Sequence, residues 1–114
     1  MPGERRIPDD PLAFIKRCIE GRSIFWTYHV NMRFGHRPIS RDLILRAAES
    51  FEIIEEYPED KQLPGYLIRA EHQGSVFHVL IAADVTENNI RVVTAYVPDP
   101  DKWGEDFRMR RPTP

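Results

Sequence analysis

The sequence predicts an α+β domain in which two or three N-terminal helical segments pack on an antiparallel sheet of about four strands. Apolar residues at helical spacing, next to helix-capping residues, mark the first half of the chain. The second half alternates runs of β-branched and aromatic residues with turn-forming residues, which is typical of a strand meander. The length of 114 residues suits a single domain. We assign residues 10–98 to this domain, residues 1–9 to a flexible N-terminus and residues 99–114 to a partly docked C-terminal tail.

The first helix is predicted directly after Asp10. Asp10 is a favourable N-cap, Pro11 suits the first helical position, and Gly21 suits the end of the helix. One face of this helix is apolar and carries Leu12, Ile15 and Ile19. The single cysteine, Cys18, lies beside that face and is interpreted as a small buried hydrophobe. One cysteine excludes a disulfide framework within the chain.

Residues 23–28 are open to two interpretations, because their aromatic and β-branched side chains suit either a short strand or the entry to a helix. We favour a brief strand that breaks into a helical segment over residues 29–34. Gly35 and Pro38 would end that segment, since both residues interrupt helices.

The clearest helix in the sequence covers residues 40–50. Ser40 is a good N-cap residue, and Ile39 and Ile44 are spaced to form a hydrophobic staple across the start of the helix. Arg41 falls outside the apolar stripe of this helix, so its side chain is expected to reach solvent or a ligand.

Two long strands joined by a polar turn form the centre of the predicted sheet. On the first strand, one face carries only apolar side chains: Phe77, Val79, Ile81 and Ala83. On the second strand, strict alternation groups Val93 with Ala95 and Val97, and Val92 with Thr94 and Tyr96. If even-numbered residues pair with even-numbered ones, His78 lies near Thr94 and Tyr96. A slip of one residue would separate them.

The net charge of −2 argues against a protein that simply coats nucleic acid. The charges are, however, unevenly distributed along the chain. Residues 22–46 contain five arginines and a single acidic residue, Asp42. Such a patch can attract phosphate, but charge alone favours a solvated helix face. The sequence has no apolar run long enough to span a membrane and no signal-peptide pattern, so we expect a cytoplasmic protein without membrane contact.

The polar residues favour proton-transfer chemistry without a metal. The four histidines match no standard metal-binding spacing, so neither a metal nor another cofactor is predicted. Histidine suits acid–base catalysis near neutral pH, and arginine suits a crowded phosphate because its planar fork binds two oxygens. The predicted catalytic residues are His29, Arg37, His78, Thr94 and Tyr96. Arg33 and Arg41 are predicted to bind substrate.

Several short motifs follow one another in an order that resembles a known prokaryotic family. They are His29, Arg37-Pro-Ile-Ser, residues 52–60, Phe77-His78-Val79, residues 93–98 and Trp103. In this order and spacing they resemble the family called domain of unknown function 4258. The resemblance implies a fold like that of the RelE-type ribonuclease toxins, and the family's recurrent polar positions would fall on the five predicted catalytic residues. It also implies a zinc-finger antitoxin protein as a partner.

Together, these observations predict a metal-independent endoribonuclease, the toxin of a toxin–antitoxin pair. Its substrate would be RNA, either free or on the ribosome. Histidines would act as acid and base, and arginine would stabilise the phosphorane. The alternative is a non-catalytic binding or regulatory module on the same fold. In that case His78 and Tyr96 should be buried in a mutual hydrogen bond.

Overall fold

The structure is a computed structural model that describes residues 7–27, 33–34, 37–59 and 62–112, with the backbone alone at 33–34 and 37–38. Two helices pack against one face of a five-stranded mixed sheet. The helices are α1 (Pro11–Glu20) and α2 (Arg41–Arg46), the latter followed by a single 3₁₀ turn (Ala48–Ser50). The strands are β1 (Ile24–Trp26), β2 (Arg33–Phe34), β3 (Arg37–Pro38), β4 (Glu52–Tyr57), β5 (Gly65–His72), β6 (Ser75–Asp84) and β7 (Asn89–Tyr96).

The strand order in the main sheet is β1-β7-β6-β5-β4. The four strands β4 to β7 form the predicted antiparallel meander. The prediction of a wholly antiparallel sheet is wrong, however, because β1 adds a fifth strand that runs parallel to β7. This strand is three residues long and pairs with the last strand of the chain, so no local pattern reveals its partner.

Both predicted helix caps are present. The Asp10 carboxylate accepts from the backbone N–H of Ala13 at 3.1 Å, and Ser40 Oγ accepts from that of Leu43 at 3.0 Å. Ile39 and Ile44 are both buried at the start of α2, as a hydrophobic staple requires. The second helix is shorter than predicted, because α2 ends at Arg46 and gives way to the 3₁₀ turn.

The helical segment predicted over residues 29–34 falls mostly outside the described residues. Its last two residues form β2, which pairs with β3 in a small antiparallel hairpin. The prediction of a helix is therefore wrong at residues 33–34. Among the described residues, no helix is long and apolar enough to cross a membrane.

The core lies between the helices and one face of the sheet. Phe77, Val79, Ile81 and Ala83 are all fully buried there, as predicted. A bulge in β7 alters the predicted grouping on that strand. Ile81 pairs with Val92 and Leu80 with Thr94, so Val93 is the extra residue. Val92 therefore turns into the core at 1% exposure, whereas Val93 is 40% exposed.

The opposite face of the sheet is partly covered by residues 99–111, which we call the strap. The strap folds back on itself: Trp103 pairs with Arg110, and the N–H of Gly104 donates to the carbonyl of Met109 at 2.9 Å. Trp103 is buried. One face of the sheet is therefore apolar and covered by the helices. The other face, which we call the polar face, is partly covered by the strap.

The bulge in β7 makes a direct prediction about two adjacent valines. Val92→Ala removes buried methyl groups and should lower the free energy of unfolding by about 2 kcal/mol. Val93→Ala, its matched control, should change that free energy by less than about 0.5 kcal/mol. Urea denaturation of both variants measures the difference. Equal losses for the two variants would contradict the bulged register.

Candidate functional site

The centre of the polar face is His78, which is fully buried in the middle of β6. Its Nδ1 lies 3.1 Å from the hydroxyl of Tyr96, and its Nε2 lies 2.8 Å from the carbonyl oxygen of Phe107 in the strap. A carbonyl oxygen can only accept, so Nε2 carries the ring proton and donates it to Phe107. In a neutral ring Nδ1 then accepts from the Tyr96 hydroxyl, and we assign the Nε2–H tautomer from these two hydrogen bonds.

The surroundings of His78 favour this neutral form. Burial lowers the pKa of His78 below its ordinary value, and the positive charges of Arg69 and Arg110 act in the same direction. The hydrogen bond to Phe107 and the charge of Glu55 oppose the shift without cancelling it. The rings of Trp103 and Tyr96 close off the imidazole, with centroids at 4.5 Å and 5.3 Å in edge-to-face geometry.

A second polar cluster lies next to His78, where the strap meets β4. Arg110 binds Glu55 with two hydrogen bonds, Nε to Oε2 at 2.7 Å and Nη2 to Oε1 at 3.1 Å. The hydroxyl of Tyr57 also donates to the Glu55 carboxylate. Burial alone would raise the pKa of Glu55, but the hydrogen bonds from Arg110 and Tyr57 outweigh it and lower that pKa. Glu55 is therefore ionised at neutral pH.

The pKa of Tyr57 moves the other way. Burial raises it, and the hydrogen bond to the Glu55 carboxylate raises it further. Tyr57 therefore keeps its proton at neutral pH. The Arg110 guanidinium lies over the Trp103 ring, 4.6 Å from its centroid, so one arginine joins the carboxylate to the strap's buried aromatic ring. The arrangement places a carboxylate, a phenol and a guanidinium in one connected group.

Further contacts bind the strap to the edge of the sheet. Arg108 Nε donates to the Glu52 carboxylate at 2.7 Å, and Arg69 Nε donates to the carbonyl of Asp106 at 2.7 Å. Glu52 and Glu55 face the same side although they are three residues apart, because a bulge in β4 separates them. The strap is thus tied to β4, β5 and β6.

The structure brings together only some of the predicted site residues. His78 and Tyr96 are cross-strand neighbours, and Thr94 follows on the same face, paired with Leu80. Arg41 lies elsewhere: its guanidinium covers Trp26, which packs on the helix side of the sheet.

The remaining predicted residues come from the basic segment. His29 lies outside the described residues. Arg33 and Arg37 belong to the β2–β3 hairpin, where only the backbone is described. Their assignments as site residues stay predictions.

Sequence reasoning gave no site role to six residues that lie where the strap meets the sheet. The missed residues are Glu52, Glu55, Tyr57, Arg69, Arg108 and Arg110. One signal was available: Arg108 and Arg110 are two apart, a spacing that puts both on one side of an extended segment. Glu52 and Glu55 are three apart, a spacing that places residues on opposite faces of a regular strand, so the sequence does not indicate that the bulge in β4 brings them to one face.

Two grooves open on the polar face beside the strap. One, of about 500 Å³, is lined by Tyr57, Pro58, Glu59 and Leu80. The other, of about 410 Å³, is lined by Thr27, Gln62, Leu63, Leu80, Ala82, Arg91 and Val93. Leu80 lines both grooves, so they are neighbours on the sheet. Tyr57 connects the first groove to the Glu55 cluster, whereas His78 lines neither. Within the described ranges, no three His, Cys, Asp or Glu side chains are grouped to hold a metal ion.

The hydrogen bond between Tyr96 and His78 makes a stability prediction. Tyr96→Phe leaves Nδ1 of His78 buried without a donor, so the free energy of unfolding should fall by about 1–3 kcal/mol. Tyr57→Phe is the matched control, because Glu55 keeps Arg110 as a partner; its loss should stay below about 1 kcal/mol. Urea denaturation at pH 7 measures both. A Tyr96→Phe variant as stable as the wild type would show that the hydroxyl is not needed there.

Comparison with known proteins identifies the family of the chain. No curated protein and no solved structure matches it. The family described as Domain of unknown function (DUF4258) matches residues 26–97. This span runs from the end of β1 to the residue after β7, and it includes the face that carries His78, Glu55 and Tyr57. The strap and α1 lie outside it. The chain therefore belongs to the DUF4258 family of domains of unknown function.

Proposed function

We propose that the protein is a metal-independent endoribonuclease of the toxin type, with its active site at the Glu55–Tyr57–Arg110 cluster. One observation carries the proposal: an ionised carboxylate, a protonated phenol and a guanidinium are hydrogen-bonded together beside an open groove. The sequence prediction gave proton transfer to His29 and His78 and phosphate binding to Arg37 and Arg33. The buried, doubly bonded imidazole moves our proposal to the neighbouring cluster.

These three groups supply what RNA cleavage by its own 2′-hydroxyl requires. Glu55 accepts the 2′ proton as the 2′ oxygen attacks phosphorus. Arg110 is 58% exposed and has N–H groups beyond those bound to Glu55, so it can donate to the phosphorane oxygens. Tyr57 gives its proton to the departing 5′ oxygen and recovers one from Glu55. The products are a cyclic phosphate and a free 5′-hydroxyl.

The overall architecture supports the same proposal. Helices cover one face of the sheet, and the polar residues collect on the other face, which the strap covers only in part and where two grooves are open to an extended substrate. This arrangement agrees with the RelE-like fold that the sequence motifs imply, and we propose that fold for the chain. An RNA substrate and a zinc-finger antitoxin partner belong to the proposal, as does a cytoplasmic location.

A second candidate function rests on a different observation. His78 is fully buried and its Nδ1 is hydrogen-bonded to the half-buried Tyr96, which is close to the arrangement expected of a non-catalytic binding module. In that case the Glu55–Arg110 pair would only hold the strap. The two candidates differ in one property, which is RNA cleavage dependent on Glu55.

The test is cleavage of RNA by the purified protein in EDTA, with free RNA and with translating ribosomes in parallel. Wild type should leave cyclic phosphate ends. Glu55→Gln and Arg110→Ala should each lower the rate about 10²-fold or more. Arg46→Ala is the matched control, because Arg46 forms an exposed ion pair with Asp42 on α2, away from the polar face; its rate should be unchanged.

Two outcomes would overturn the ribonuclease proposal. Folded wild type that cleaves neither substrate would favour the binding module. Cleavage that survives Glu55→Gln and Arg110→Ala would move the active site elsewhere. Thermal unfolding of each variant verifies that lost activity is not lost structure.

A further inference from the structure

We infer that His78 is a positioning residue: its neutral imidazole locks the strap onto the sheet, and protonation of the imidazole releases the strap. The consequence for catalysis rests on the proposed function, since the strap carries Arg110. The lock itself does not depend on that function. His78 would not touch the substrate.

His78 contacts the strap at two positions, Trp103 and Phe107. Its Nε2 bonds the carbonyl of Phe107, directly before Arg108, and its ring packs against Trp103. Trp103 in turn pairs with Arg110 through the backbone. A single side chain on β6 therefore fixes the segment that presents Arg108 to Glu52 and Arg110 to Glu55.

The backbone conformation of Phe107 indicates that contacts with the rest of the protein hold the strap in place. Phe107 has a φ of +60°, in the left-handed region that bulky residues rarely adopt. Such a conformation persists only where the surroundings hold it. The contacts that hold it are the bond from His78 to its carbonyl and the bond from its own N–H to the carbonyl of Gly104.

The charges around His78 explain why protonation would release the strap. Arg69 on β5 and Arg110 on the strap face the imidazole with positive charge, and Glu55 on β4 supplies the opposing negative charge. Tyr96 on β7 and Tyr57 on β4 are further titratable neighbours, and burial raises the pKa of each, so both stay protonated. A charged imidazole would add a buried cation beside two arginines, and the Tyr96 hydroxyl would have to turn so that its oxygen accepts from Nδ1.

The direction of the pH effect follows from the lowered pKa of His78. An undocked strap would expose the imidazole and return its pKa towards 6.5, so the undocked form binds protons more readily. Docking is therefore strongest above pH 6.5 and weakens as the pH falls. The hydrogen bonds from Arg110 and Tyr57 outweigh burial and lower the pKa of Glu55 below its ordinary value, so a change that begins as the pH falls through 6.5 reports His78 rather than Glu55.

The experiment follows the strap directly by amide hydrogen exchange from pH 7 to pH 4.5. The reporters are Gly104, Phe107 and Arg111, whose N–H groups close the strap. In the wild type their protection factors should fall by up to tenfold per pH unit below pH 6.5. The amides of Val79 and Ile81 in β6 should stay protected.

Two variants separate the lock from general stability. His78→Gln keeps a donor for Phe107 but takes up no proton, so its strap should stay protected throughout this pH range. His72→Gln is the matched control at the end of β5 and should behave like the wild type. A strap equally protected at pH 7 and pH 4.5 in the wild type would overturn the inference, even if a variant failed to fold. So would an unchanged pH dependence in His78→Gln.

A parallel rate measurement distinguishes this inference from the proposed function. If the protein cleaves RNA, the kcat of His78→Gln, taken relative to its own value at pH 7, should persist to lower pH than that of the wild type. If the protein cleaves no RNA, the proposed function fails. The exchange measurement still decides whether His78 holds the strap.

Discussion

The imidazole of His78, bonded on both nitrogens inside the sheet, is the interaction on which the polar face depends. The two arginine–glutamate pairs are partly exposed, and such pairs contribute at most about 1 kcal/mol each. They cannot hold the strap by themselves. The buried ring of Trp103 and the buried bond from His78 to Phe107 are worth more, since a buried donor or acceptor left unpaired costs about 1–3 kcal/mol. The buried contacts therefore stabilise the docked strap, and the ion pairs of Arg108 and Arg110 orient it along β4.

Much of the fold could be predicted because its signals are local. Caps at Asp10 and Ser40 and the alternation in β6 depend on neighbouring residues, and the structure has each of them. Two features could not be predicted. The parallel pairing of β1 with β7 joins residues far apart in the chain. The bulge at Val93 reverses the alternation beyond it, and no residue type in that stretch demands a bulge.

Only the His78–Tyr96 part of the candidate site could be predicted from the sequence. His78 and Tyr96 are paired because the even-with-even register is correct at that point, beyond the bulge. The other half depends on the strap, whose Pro and Gly residues obscure any periodic pattern, and on a second bulge that brings Glu52 and Glu55 to one face. Residue types alone also made His78 a catalytic candidate. Its burial shows that a histidine suited to proton transfer is here bonded as a structural group. The more accessible Glu55–Tyr57–Arg110 cluster lies between β4 and the strap.

The protonation state of His78 is the property that tests this account most directly. Long-range ¹H–¹⁵N correlation of the histidine rings reports which nitrogen carries a proton. At pH 7 the account predicts a neutral His78 ring with the proton on Nε2, exchanging slowly because Phe107 and Trp103 cover it. A charged ring at pH 7, a proton on Nδ1, or rapid exchange of the Nε2 proton would contradict the account, because in each case the imidazole would not hold the strap as described.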